Sequence, residues 1–190
     1  MPTRLLGLLV FVLWGAAAAA ADPGLAEALR KGGYVLFIRH TSTDFSRNDA
    51  GMASFEDCAN QRPLTDQGRD EARAIAGHLA RLRIPVDRVY ASPYCRTVET
   101  ALLAFGKAEK TQDARGGPMK SDDPKRYDAL RKLLSTPPTA GRNNAISSHG
   151  NPFYAVFGAP YLAEGEIAVV RPGDSSVAGK IRLEDWPALR

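Results

Sequence analysis

Short apolar runs that end in polar residues are the clearest feature of the hydropathy pattern. Residues 34–38 read Tyr-Val-Leu-Phe-Ile, and similar runs occupy residues 86–91 and 144–148. Runs of this length, bounded by glycine or polar residues, are typical of strands buried on both faces. Two further segments, residues 166–171 and 179–183, flank a Pro-Gly-Asp turn and predict closing strands.

Between these runs, hydrophobic residues recur with the period of a helix. Residues 64–83 predict one helix, with Thr65 as its N-cap and Gly68 on the buried stripe, where the missing side chain allows a close approach to the sheet. A second helix is expected directly after Ser92-Pro93, because serine can cap and proline suits the first helical position. The stripe residues are Ala72, Ile75, Leu79 and Leu82 in the first helix and Val98, Ala101, Leu102 and Phe105 in the second.

Two shorter helices, over residues 124–134 and over a segment ending at Phe157, complete the predicted elements. Strands that alternate with helices in this way are typical of an α/β fold. We therefore expect a mostly parallel sheet with helices on both faces. Residues 22–190 are enough for a single domain with one core, and no internal repeat or long linker divides them.

The amino-terminal residues have the pattern of a secretory signal. Arg4 gives a positive start, residues 5–14 are apolar but too few to span a bilayer, and an alanine run at residues 16–21 offers cleavage sites. We expect residues 1–21 to be removed and the rest to be exported, as a periplasmic or secreted protein without stable membrane insertion. An uncleaved anchor is the alternative, and the apolar core is short for it.

The charge pattern argues against a nucleic-acid partner. The formal net charge is +4, and basic residues are interleaved with acidic ones, as in residues 69–73. That pattern is typical of a solvated helix face, and no basic run is interleaved with aromatic residues as a groove for a single strand requires. The small positive excess would at most attract anionic substrates.

The two cysteines, Cys58 and Cys95, are candidates for a disulfide. An exported chain with an even number of cysteines permits this bond, which would hold the loop around Cys58 close to Arg96. Two buried free thiols are the alternative. Neither cysteine has a partner at the spacing of a metal site, so we expect no bound metal and no cofactor.

Two histidines and two arginines are predicted to meet at one edge of the sheet. Arg39 and His40 follow the first strand directly, and His149 follows the run at residues 144–148. Arg96 falls in the first turn of a helix, where the helix dipole adds to the affinity of the guanidinium for an anion. Because open α/β sheets place their sites at the carboxyl ends of strands, this set suits a phosphoryl group.

These pieces together resemble the histidine phosphatase superfamily, also called the phosphoglycerate mutase-like family. The resemblance covers nearly all of the chain after residue 21 and implies a phosphoglycerate mutase-like fold. It also implies that His40 is a nucleophile that forms a phosphohistidine. Arg39, Arg96 and His149 would then surround the phosphoryl oxygens of a small phosphorylated substrate or a phosphoprotein. The motifs that carry the resemblance are Arg39-His40, Leu64-Thr65 with Gly68, Ser92-Pro93 with Arg96 and Thr100, and Ser148-His149-Gly150.

The sequence departs from the pattern of this family at three places. Thr41 stands where a glycine often follows the catalytic histidine, and Ser46 stands where an asparagine is common. No acidic motif follows Arg96, although many members carry there a glutamate that protonates the leaving group. Residues 113–117, Asp-Ala-Arg-Gly-Gly, occupy this stretch instead.

Three carboxylates, Asp44, Glu164 and Glu166, are possible substitutes for the missing acid. Each is more typical of an ordinary surface or loop residue. Without an acid, we expect the enzyme to favour substrates with good leaving groups, such as phosphoramidates and acidic phosphates.

Three other functions fit parts of the pattern. A phosphoglycerate mutase-type phosphotransferase would share the motifs, but such enzymes act in cytosolic glycolysis and the chain has an export pattern. A catalytically silent binder of phosphate ligands is disfavoured because all four candidate residues are present. A serine hydrolase built on Ser148 and His149 is weaker still, since adjacent residues at a strand end cannot make the usual contact and no Gly-x-Ser-x-Gly segment occurs.

Overall fold

A six-stranded sheet forms the centre of the molecule in the computed structural model, which describes residues 23–118 and 120–190. The expected signal segment, residues 1–21, lies outside the described residues. The strand order is β3-β2-β4-β1-β5-β6. The first four strands in this order run parallel, whereas β5 and β6 are antiparallel to their neighbours. The strands are β1 Val35–Arg39, β2 Val86–Ala91, β3 Glu109–Lys110, β4 Asn143–Ser148, β5 Ile167–Arg171 and β6 Ser176–Ile181.

Helices cover both faces of the sheet, which confirms the expected fold class. Alternate residues of β1 point to opposite sides, so Leu36 and Ile38 enter one buried cluster while Val35 and Phe37 enter the other. The first cluster includes residues of α1, α2 and α3, and the second includes residues of α4 and α5. The helices are α1 Pro23–Lys31, α2 Asp66–Arg81, α3 Cys95–Phe105, α4 Asp128–Ser135 and α5 Gly150–Phe157.

Helix α2 begins as the sequence predicts. The Thr65 side chain accepts a hydrogen bond from the backbone nitrogen of Gly68, at 3.0 Å, and so caps the helix. A Cβ on Gly68 would lie 2.1 Å from the carbonyl oxygen of Ser42. The close approach is therefore to the backbone just beyond β1, and it keeps the start of α2 against the segment that follows His40.

Helix α3 begins later than predicted, at Cys95, and Tyr94 rather than Ser92 occupies its N-cap position. Its predicted stripe is also partly wrong, because Leu102 is 49% exposed. Thr97 and Thr100 are buried instead, since their hydroxyl groups donate to the backbone carbonyl groups of Ser92 and Arg96. A hydropathy pattern does not show that such threonines can be buried with their hydrogen bonds satisfied.

Other boundaries differ by a few residues. The predicted helix at residues 124–134 begins at Asp128, and the last strand, β6, occupies Ser176–Ile181 rather than residues 179–183. The two-residue strand β3 has no apolar run to reveal it. Within residues 23–190, no helix combines the length and the apolar character needed to cross a membrane.

Candidate active site

The four predicted residues meet at one edge of the sheet. Arg39 is the last residue of β1 and pairs in register with Ser148, the last residue of β4. The next residues along each strand are His40 and His149, whose ring centroids lie 5.5 Å apart. Because the neighbouring strands are parallel, their carboxyl ends bring these side chains together.

These residues line a cavity of about 220 Å³, called here the His40 cavity. Arg96 enters it from the first turn of α3, as expected. Arg62 also lines it, although no motif in the sequence marks this residue as part of the site. The lining residues are Arg39, His40, Arg62, Tyr94, Arg96, Gly116, Gly117, His149, Gly150, Asn151 and Tyr161.

His40 is held as a neutral imidazole with a defined tautomer. Its Nδ1 lies 3.0 Å from the carbonyl oxygen of Thr41, which can only accept, so Nδ1 carries the proton and Nε2 keeps a free lone pair. Burial lowers the pKa of His40 to about 3, and the charges of Arg96 and Arg39 act in the same direction against the Thr41 hydrogen bond. Nε2 is therefore available as a nucleophile at neutral pH.

Three arginines around the His40 cavity have unused donors. The Nε atoms of Arg39, Arg62 and Arg96 are buried and make no hydrogen bond. The three arginines all line the cavity, so their positive charges meet there and favour an anionic acceptor. An oxyanion with several oxygens would supply that acceptor.

Other atoms of the arginines are well anchored. Arg39 Nη1 donates to the carbonyl oxygen of Leu162 at 2.8 Å, and Arg96 Nη1 donates to Asp49 Oδ1 at 2.9 Å. Burial lowers the pKa of Arg96 from its ordinary value, and the hydrogen bond and charge of Asp49 oppose that shift. Asp49 also accepts from the backbone nitrogen of Arg62, at 2.9 Å, so one carboxylate joins two of the arginines.

His149 is positioned by Ser92, the residue predicted to cap α3. Its Nε2 lies 2.8 Å from Ser92 Oγ. Burial keeps the pKa of His149 well below its ordinary value, and the adjacent His40 and Arg96 add to the shift. The Oγ of Ser148 donates instead to the carbonyl oxygen of Ala114, at 2.7 Å. This hydroxyl therefore does not donate to His149, as the nucleophile of a serine hydrolase would.

The three carboxylates considered as acids do not line the His40 cavity. Asp44 accepts hydrogen bonds from Ser46, which lower the pKa of Asp44 and make it a poor acid. Glu166 accepts from the backbone nitrogen of Ala163, at 2.8 Å. Glu164 and Glu166 are not exposed loop residues as expected, since their side chains are only 14% and 6% exposed.

The segment where a family acid is expected contains Gly116 instead. A Cβ at Gly116 would lie 3.1 Å from Cδ2 of His149, so a side chain here would press on the histidine ring. In the described part of the chain, no cluster of three or more His, Cys, Asp or Glu residues could hold a metal ion.

A disulfide joins Cys58 to Cys95, the first residue of α3, across a sequence separation of 37. Residues 43–62, called here the 43–62 loop, are thereby tied to the helix that carries Arg96. Next to the bond, the side-chain oxygen of Gln61 accepts from the backbone nitrogen of Cys95 at 2.9 Å. The two contacts together place Arg62 at the cavity.

Comparison with known families finds a similarity over part of the chain. The family model of the histidine phosphatase superfamily (branch 1) matches residues 35–115, which include Arg39, His40, Arg62 and Arg96. The match covers less than half of the chain, and over that segment the chain is similar to the histidine phosphatase superfamily. His149 and Glu164 lie outside the matched segment, and the tertiary structure places them next to it.

Solved structures share the fold at low sequence identity. SixA from Agrobacterium tumefaciens, described as a putative phosphohistidine phosphatase, matches with a TM-score of 0.55 and 16% identity, over 79% of this chain and 98% of its own. The protein histidine phosphatase SixA in complex with tungstate matches with a TM-score of 0.54 and 20% identity, over 80% and 98%.

A variant of TTHB049 from Thermus thermophilus matches with a TM-score of 0.51 and 17% identity, over 78% of this chain and 98% of that protein. The search of curated proteins finds no match. The histidine phosphatase, or phosphoglycerate mutase-like, fold that the motifs implied is confirmed.

Proposed function

We propose that the protein is a metal-independent phosphatase that hydrolyses phosphomonoesters or phosphoramidates through a phosphohistidine on His40. One observation carries the proposal. A neutral His40 with a free Nε2 lone pair lines a cavity that is also lined by three arginines, Arg39, Arg62 and Arg96. A phosphoryl group offers its phosphorus atom to the nucleophile and its oxygens to the guanidinium donors.

The proposed reaction has two steps. Nε2 of His40 forms a bond to phosphorus while the bond to the leaving atom breaks, and that atom takes the electron pair. A water molecule then attacks phosphorus, the N–P bond breaks, and His40 and inorganic phosphate are released. Arg39, Arg62 and Arg96 stabilise charge on the phosphoryl oxygens in both steps, which is the electrostatic contribution that dominates phosphoryl transfer.

The proposed enzyme should prefer substrates that have good leaving groups. Beside the histidines and arginines, the cavity lining consists of glycines, an amide and two tyrosines, and it includes no carboxylate among the described residues. Leaving groups that depart without a strong acid are therefore favoured, as in phosphoramidates and acidic phosphates. Both small phosphorylated molecules and phosphoproteins fit this proposal.

We also propose that the protein acts outside the cytoplasm. Its support is the signal-like pattern of residues 1–21 together with the disulfide between Cys58 and Cys95. Fusing residues 1–30 to a reporter that is active only after export tests this proposal. A reporter that stays inactive would contradict it.

Trapping the intermediate tests the catalytic proposal. Quenching without acid should capture labelled phosphate as an acid-labile, base-stable adduct on His40, because a phosphoramidate loses phosphate once its nitrogen is protonated. His40→Ala should abolish both adduct and turnover. His78→Gln is the matched control, because His78 stacks on Trp186 away from the cavity and should keep both. Activity that EDTA removes and a divalent ion restores would contradict the metal-independent mechanism.

The same experiment separates the alternatives. Label on Ser148 would indicate a serine hydrolase, and absence of turnover on every phosphorylated substrate would indicate a silent binder. Return of the label to a second substrate hydroxyl rather than to water would indicate a mutase.

A further inference from the structure

Glu164 lies beside the proposed nucleophile in the loop between α5 and β5. The backbone nitrogen of the next residue, Gly165, lies 3.1 Å from the carbonyl oxygens of both Arg39 and His40. The backbone nitrogen of Arg39 in turn donates to the carbonyl oxygen of Glu166, at 3.2 Å. These backbone contacts hold the Glu164 loop firmly against the end of β1.

The carboxylate of Glu164 joins three residues of the β1 end. Its Oε1 accepts from the hydroxyl of Thr43 at 2.7 Å, and its Oε2 accepts from the backbone nitrogen of Thr43 at 3.2 Å. Oε1 also accepts from Arg39 Nη2 at 3.4 Å and lies 3.7 Å from His40 Nδ1. The Glu164 side chain is only 14% exposed, so water screens these contacts weakly.

Glu164 lies next to the protonated nitrogen of His40, Nδ1. Nδ1 carries the proton because it donates to Thr41, and Glu164 lies on this Nδ1 edge without lining the His40 cavity. When Nε2 bonds to phosphorus, the imidazole gains positive charge that it lacks in the free enzyme. A carboxylate close to Nδ1 therefore interacts more strongly with the transition state than with the ground state.

We infer that Glu164 is a positioning residue that holds Arg39 and His40 in place and stabilises the positive charge that His40 acquires during phosphorylation. This inference rests on the proposed phosphohistidine mechanism. It also explains why Glu164 is partly buried although it does not line the cavity.

The test compares two carboxylates of one loop, the partly buried Glu164 and the buried Glu166. Glu164→Gln keeps the shape and removes the charge, and we expect kcat to fall about 10- to 100-fold, as when one preorganised electrostatic group is removed, with KM changed less than about two-fold. Glu166→Gln is the matched control, because Glu166 contacts the backbone of Ala163 rather than His40, and it should keep near-normal kcat. Equal kcat values in the two variants would overturn the inference.

A spectroscopic measurement distinguishes this role from a merely structural one. The chain has 3 histidines, so the Nδ1 proton of His40 can be assigned in protein with isotope-labelled histidine. Glu164→Gln should move this resonance upfield while the melting temperature changes little, and an unmoved resonance would overturn the inference. Thr43→Val removes one partner of Glu164 without changing charge, and it should lower kcat less than Glu164→Gln does.

Different experimental results would contradict this inference and the proposed function. If the wild-type protein forms phosphohistidine and Glu164→Gln has normal kcat, only the inference is wrong. If the wild-type protein forms no adduct, the proposed function is wrong, and the histidine resonance still reports whether Glu164 acts on His40.

Discussion

The protonation of His40 and His149 links the site to stability. Both histidines are buried and neutral, with a pKa of about 3 for His40 and a pKa well below the ordinary value for His149. In the unfolded chain both take up a proton below about pH 6.5. The folded state therefore binds fewer protons, and its stability is fully present above this pH and is lost as the pH falls toward 3.

Acidification should therefore destabilise the protein. A histidine that stays neutral in the folded state costs about 1.4 kcal/mol per pH unit below pH 6.5, so His40, with a pKa of about 3, should lower the free energy of unfolding by roughly 2 kcal/mol between about pH 7.5 and pH 5. His149 should add to this loss, because burial also lowers its pKa. Denaturant titration at the two pH values measures this change. His149→Gln should make the dependence less steep, and an equally steep loss in this variant would show that other groups cause it.

Arg62 is expected to matter as much as the arginines that the motifs identify. Arg62→Ala removes one of three cationic donors at the cavity, so kcat/KM for an aryl phosphate should fall about 10²- to 10³-fold. Arg73→Ala, which removes an exposed arginine of α2 paired with Asp70, is the control and should leave kcat/KM unchanged. A small, equal effect of both substitutions would contradict a role for Arg62 in the site.

At the scale of elements, the 43–62 loop completes a site that the sheet alone leaves open on one side. Arg62 reaches the cavity because Cys58 is bonded to Cys95 and because Asp49 bridges Arg96 and the backbone of Arg62. The loop has no buried apolar stripe of its own, and its short helix, Cys58–Asn60, has no buried residue. Its position therefore depends on specific contacts, which also include those of Thr43 with Glu164 and of Gln61 with Cys95.

Loss of the disulfide should weaken both the fold and phosphate binding. A link across 37 residues removes chain entropy worth about 4 kcal/mol, so the Cys58→Ser, Cys95→Ser double variant should lose free energy of unfolding of that order. Inhibition by inorganic phosphate should also weaken, since Arg62 is less restrained. Thiol titration in denaturant is the check on the starting protein, and two free thiols per unreduced chain would contradict the bond.

At the scale of the whole molecule, the fold brings three arginines to one cavity, and none of the described residues that line it is a carboxylic acid. The chemical step should then depend steeply on the pKa of the leaving group. Single-turnover rates of aryl phosphates should exceed those of alkyl phosphates by about 10²-fold or more, in line with the contribution of a general acid. A flat dependence would show that a carboxylate outside the cavity lining protonates the leaving group.

The sequence alone determined the fold class and four residues of the candidate site, because each of these signals is local. Arg39, His40 and His149 lie at the ends of apolar strands, and Arg96 lies in a helix that begins just after β2. Parallel strands bring such positions to one edge whatever the details of packing. The start and the buried face of α3 were predicted only in part, because burial of its threonines depends on hydrogen bonds that periodicity does not show.

Only the tertiary structure decided the positions of Arg62, Ser92 and Glu164 relative to the site. Arg62 depends on a loop held by a disulfide, Ser92 supports a histidine 57 positions away, and Glu164 bonds to a threonine 121 positions away. Nothing local distinguishes these residues from ordinary loop arginines, helix caps and surface carboxylates. Their roles arise from contacts between distant segments, and such contacts exist only after the chain has folded.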